Sequence, residues 1–148
     1  MIKTLPITSH HLAICEGNFL RLKKLLNEFK ESRYEFEAIN PDLSSSAISF
    51  EVLDRTKHTL LVEAKQNDDY PEEINSFILK IQISIDAQLA EVLEYQGEKS
   101  LPFYYKASKA HSLDEKAQQN RFLTEWLESI FISGIASKKS LQKIIDNE

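Results

Sequence analysis

The sequence predicts an α+β domain, an antiparallel meander sheet of five or six strands with N- and C-terminal helices packed on one face. Three observations carry this. Apolar residues recur in steps of three and four at both ends of the chain, the period of a helix face. Between them they alternate with polar residues, the period of a half-buried strand. The connections are too short for parallel crossovers, which need about a dozen residues or more. With 148 residues the chain is long enough for one domain with its own core. The expected division is a helix within 1–30, strands over 34–95, a helix over 111–136 and a tail over 137–148.

Between Ser9 and Phe29, Leu12, Cys15, Phe19, Leu22, Leu26 and Phe29 form one apolar line, with Thr8 or Ser9 as cap and Gly17-Asn18 as the weak point. Strands follow at Tyr34, Phe36 and Ala38, then at Ile48, Phe50 and Val52, then at Leu60, Val62 and Ala64. Phe77, Leu79, Ile81, Ile83 and Ile85 alternate most cleanly, and a turn at Asp86-Ala87 leads into Leu89–Tyr95. A two-residue loop pairs Ile83 with Ala90 and sets Glu91 opposite Gln82; a three-residue loop pairs Lys80 with Glu94 and turns Glu91 to the isoleucine face. The small Ala90 and Val92 favour the first register. Gln96 to Ala110 reads as a sixth short strand or a pinned loop. The closing helix carries the apolar line Phe122, Trp126, Ile130. Phe19, Leu22, Phe50, Ile81, Ile83, Phe122, Trp126 and Ile130 are the expected core.

A net charge of -5 disfavours a protein that tracks phosphates, so Arg55, Lys57 and His58 make a weak case for nucleic-acid binding. One cysteine makes no internal disulfide, and no apolar run approaches the roughly 20 residues of a membrane span. A cytoplasmic location is the resulting expectation. Gly-rich phosphate loops, Gly-x-Ser-x-Gly, CxxC and HExxH are missing, so no familiar catalytic set is present.

Ser112-Leu113-Asp114-Glu115 fits a capping box, the plainest role for Ser112 and Glu115. His111 just before it is a candidate general acid or base. Gln118 and Asn120 are either solvated or at a pocket mouth, and Asn18 is either frayed outward or held by a specific bond. Lys116 and Asn120 share a face away from Trp126 and are expected to be dispensable for stability. His11 and Cys15 are four apart and could share a metal, but the sequence offers no third ligand beside them, and neither metal nor cofactor is expected.

Cys15-Glu16-x-Asn18-Phe19 with Leu22 and Leu25-Leu26, Asp86-Ala87-x-x-Ala90-Glu91-Val92, and Asp114-Glu115-Lys116-x-Gln118-x-Asn120-x-Phe122-Leu123-x-x-Trp126-Leu127 together resemble the YqiB-like proteins. His111 fits as well. These are small, uncharacterised, cytoplasmic proteins of gammaproteobacteria and their relatives. Gly17 and Lys106-Ala107 depart from the family's pattern. The resemblance implies no activity. It does select Glu16, Asn18, Asp86, Glu91, His111, Asp114, Glu115, Lys116, Gln118 and Asn120 as candidate binding residues.

The leading expectation is a non-catalytic domain that binds a protein partner or a small ligand, with a homodimer among the options. The alternative is an acid–base enzyme, such as a hydrolase, using His111 with Glu91, Asp114 or Glu115. Neither nucleic acid nor membrane is an expected partner.

Overall fold

A computed structural model describes residues 4–39, 45–68, 76–97, 112–132 and 136–137. The elements are α1 (Thr4–Leu25), β1 (Arg33–Ile39), β2 (Ser45–Arg55), β3 (Thr59–Asp68), β4 (Phe77–Ser84), β5 (Leu89–Gly97), α2 (Ser112–Ile132) and β6 (Ala136–Ser137). The strands form one antiparallel sheet in the order β5-β4-β3-β2-β1-β6. The first five make the meander, in chain order. The sixth strand comes from the far C-terminus, because Ala136 and Ser137 pair with Glu37 and Phe36. That pairing covers part of the outer edge of β1, whose backbone groups need partners. The segment 96–110, weighed above as a sixth strand, lies outside the described residues beyond Gly97.

Period-2 patterning decides which face is covered. Tyr34 pairs with Phe50, Phe50 with Ala64, Ala64 with Leu79, and Val62 with Ile81, so these side chains share a face. All of them are buried, as are Phe19, Leu22 and Leu26 of the N-terminal segment and Leu123, Trp126, Leu127 and Ile130 of α2. Both helices therefore lie on the same face of the sheet. Of the expected core only Phe122 is partly buried; it stacks edge-on to Phe77, with ring centroids 5.0 Å apart. The opposite face carries Glu35, Glu51, Glu63, Lys65 and Lys80, of which Glu63 and Lys65 pair at 3.4 Å.

Two bulges bend this sheet. Leu53 is the unpaired residue between β2 and β3, and Leu93 the one between β4 and β5. In β5, Ile83 opposes Ala90, Ile81 opposes Val92 and Gln82 opposes Glu91, the favoured register. Beyond Leu93 the count shifts, and Lys80 opposes Glu94. The two registers offered as alternatives both occur, one on each side of the bulge. Its consequence is to turn Tyr95 onto the core face beside Phe77, with centroids 6.2 Å apart.

Helix α1 runs unbroken through Gly17 and ends at Leu25, short of the expected limit. Asn27, Glu28 and Phe29 follow as a left-handed turn with φ of 49°, 59° and 62°. Such a conformation costs roughly 1–2 kcal/mol per non-glycine residue. Here it delivers Phe29 into the core, 5.7 Å from the Phe19 ring.

Candidate functional site

Leu12 was expected on the buried face of α1 but is 44% exposed. The inward line passes instead through His11, Cys15, Asn18 and Leu22, spaced four, three and four, so one helix row carries three polar side chains toward β5 and α2. What each of them meets separates scaffold from candidate site.

Asn18 is fully buried, and its Nδ2 donates to the backbone carbonyl of Asn120 at 3.1 Å. Its Oδ1 accepts from the Thr124 hydroxyl at 2.8 Å and from Arg21 at 3.4 Å. Asn120 is also fully buried: Oδ1 accepts the Val92 backbone N–H at 2.9 Å, and Nδ2 donates to the Lys116 carbonyl at 2.8 Å. Lys116 donates through Nζ to the carbonyls of Val92 at 3.2 Å and Leu93 at 2.7 Å. These two carbonyls flank the bulge, which turns both toward α2. Lys116 and Asn120, expected to share a face away from Trp126 and to be dispensable for stability, instead form a seam against β5, with Asn120 buried and Lys116 partly buried. The reason is the sheet edge: among the described residues β5 has no further strand beside it, and α2 supplies hydrogen bonds there.

The other candidates scatter. Glu16 and Glu115 are exposed, and Gln118 is half-buried. Gln119 Oε1 is buried with no hydrogen-bond partner among the described residues. Asp86 sits exposed in the β4–β5 turn, where its carboxylate meets His58 Nδ1 at 2.5 Å. His111 and the Asp114 side chain fall outside the described residues.

Glu91 is different. Its Oε2 lies 3.1 Å from His11 Nε2, and the same nitrogen lies 3.6 Å from Cys15 Sγ. The three donor atoms fall within 4.8 Å of one another. Cys15 is buried, while the side chains of His11 and Glu91 are 26% and 46% exposed, so the cluster opens to solvent on the β5 side. Burial, then the Glu91 carboxylate, pushes the Cys15 thiol up to about 11. A nucleophilic thiol needs the opposite shift. A catalytic relay also places the thiol and the carboxylate on different imidazole nitrogens, one as proton donor and one as orienter. Both groups here crowd Nε2, which carries one proton or one lone pair when the ring is neutral. The arrangement suits convergence on a shared centre, not proton relay.

A family model described as "Protein of unknown function (DUF1249)" matches residues 21–136. The chain belongs to this family. Among relatives, the "Uncharacterized protein YqiB" of Escherichia coli (strain K12) is 26% identical over 118 residues, covering 78% of this chain and 82% of the relative. The protein of the same name from Escherichia coli O157:H7 matches to the same extent. No solved structure matches. The DUF1249 match takes in Glu91, Lys116 and Asn120 but begins after His11, Cys15 and Asn18. Among the described residues no helix is long and apolar enough to cross a membrane.

His11 and Cys15 were visible in sequence only as an i, i+4 pair. Their third member lies 76 residues beyond Cys15, and only the packing of α1 on β5 brings it in.

Proposed function

We propose that this DUF1249 chain is a non-catalytic domain that binds a small ligand between α1 and β5, at His11, Cys15 and Glu91. The observation that supports it is the convergence of three side chains, bonded to one another, on one point of a partly exposed helix–strand junction. The other inward polar groups, Asn18, Asn120 and Lys116, are spent on backbone partners within the fold. A site made of polar groups that the scaffold does not consume is where recognition chemistry is available. The raised thiol supports binding over nucleophilic catalysis.

Native mass spectrometry of the full chain, purified from its own cytosol without chelator, tests this reading. The expected result is a bound species that disappears from the His11→Ala, Glu91→Gln double variant. A bare polypeptide mass, or an adduct that survives the double change, sinks it.

A further inference from the structure

The chemistry of the three donors narrows the ligand to one class. This step rests on the reading of the junction as a ligand site. We propose that His11 Nε2, Cys15 Sγ and Glu91 Oε2 bind a single zinc-class divalent cation, with a fourth position open to water.

Geometry carries the assignment. A tetrahedral zinc with Zn–N and Zn–O near 2.0–2.1 Å and Zn–S near 2.3 Å has ligand–ligand edges of roughly 3.3–3.6 Å. The His11–Cys15 edge is 3.6 Å and the His11–Glu91 edge 3.1 Å, while all three atoms already fit within 4.8 Å. Binding requires the half-exposed Glu91 carboxylate to turn toward Cys15 and shorten the third edge. Two ligands come from one turn of α1 and the third from β5, so rigid elements place all of them.

Ligand type selects the metal. Thiolate and imidazole together favour zinc, and cobalt(II) as its spectroscopic stand-in, over magnesium, calcium or manganese, which take oxygen donors. The charges also balance. Binding releases the Cys15 proton to solvent, and the resulting thiolate with the Glu91 carboxylate neutralises a +2 ion. With three protein ligands and solvent on the side of His11 and Glu91, the fourth position is left to water.

The test is a cobalt(II) titration of the full chain followed by absorption, then competition with zinc. One equivalent is expected to give tetrahedral visible bands and a sulfur-to-cobalt charge-transfer band, both erased by zinc. Cys15→Ser is expected to lose the charge-transfer band. Because that change lies in the core, His11→Ala and Glu91→Gln serve as half-exposed partners, with melts to confirm folding. Each is expected to weaken zinc binding by more than about 100-fold, beyond the 10–100-fold typical of losing an outer-shell partner. His10→Ala, on the exposed side of α1, is expected to bind as the parent does. A cobalt spectrum without charge transfer, or affinity unchanged in folded His11→Ala and Glu91→Gln, overturns the proposal. An organic adduct on the native protein that depends on Glu91, with no zinc binding, overturns the metal assignment and leaves the ligand site standing.

Discussion

Asn120 Oδ1 accepts the backbone N–H of Val92 at 2.9 Å, so a helix side chain serves the edge of β5 that no strand pairs with among the described residues. Truncation to Asn120→Ala leaves that buried N–H and the Lys116 carbonyl without this partner. The cost of an unsatisfied buried group is about 1–3 kcal/mol. Urea unfolding of Asn120→Ala is expected to show a loss in that range or above. A loss under about 0.5 kcal/mol would mean that the seam does not hold the edge.

Lys116 separates charge from reach. Lys116→Met keeps the apolar stem but removes the ammonium that bonds two carbonyls at the bulge. Hydrogen bonds from a charged donor contribute about 1.5–3 kcal/mol, less where solvent competes. The expected result is a lower melting temperature with the fold retained, and faster amide exchange at Leu93 and Glu94 than at Ile81. Equal exchange in variant and parent would count against the clamp.

Trp126 is buried against Phe50 and Phe77, with ring centroids 5.5 and 5.0 Å away, and its Nε1 donates to Gln66 Oε1 at 2.7 Å. Trp126→Ala is expected to cost about 3–5 kcal/mol, a large part of a small domain's stability. Trp126→Phe keeps most of the ring contact and loses the hydrogen bond, so its cost should be nearer about 1 kcal/mol. Denaturant curves for the pair apportion packing against polarity.

Gly17 lies mid-helix, and a Cβ there would meet only the tip of the Arg21 side chain, at 2.7 Å. That guanidinium can move, while alanine gains roughly 0.5–1 kcal/mol of helix propensity over glycine. Gly17→Ala is therefore expected to raise the melting temperature. A lower one would show that the Arg21 bonds to Asn18 and Glu128 matter more than the propensity.

In the metal-free protein, Cys15 should resist alkylation. Its thiol stands at about 11 against an ordinary 9.0, two units that reduce the thiolate about a hundredfold at neutral pH. The residue is also 3% exposed. Labelling at pH 7.5 is expected to be slow when native and fast in denaturant. The sign for stability follows: the folded state holds this proton more tightly, so its contribution is intact below pH 9 and is lost as pH rises toward about 11. Fast native labelling would contradict the burial.

The sequence by itself determined the α+β class, the antiparallel order of the first five strands and the face that the helices cover. These follow from local periodicity: alternation in Phe77–Ile83 and the three-and-four spacing around Trp126 each point a fixed set of side chains inward. The register near Asp86 was also legible, because Ala90 and Val92 match the isoleucine face. Tertiary structure decided the rest. The bulge at Leu93 turns two carbonyls to Lys116, and the edge of β5, unpaired among the described residues, draws Asn120 inside, where helix periodicity alone left it between solvent and a pocket mouth. Glu91 meets His11 and Cys15 across a sequence gap that no spacing rule spans. Patterns of period two and 3.6 record which way a residue points from its own element, whereas a site records which elements end up side by side.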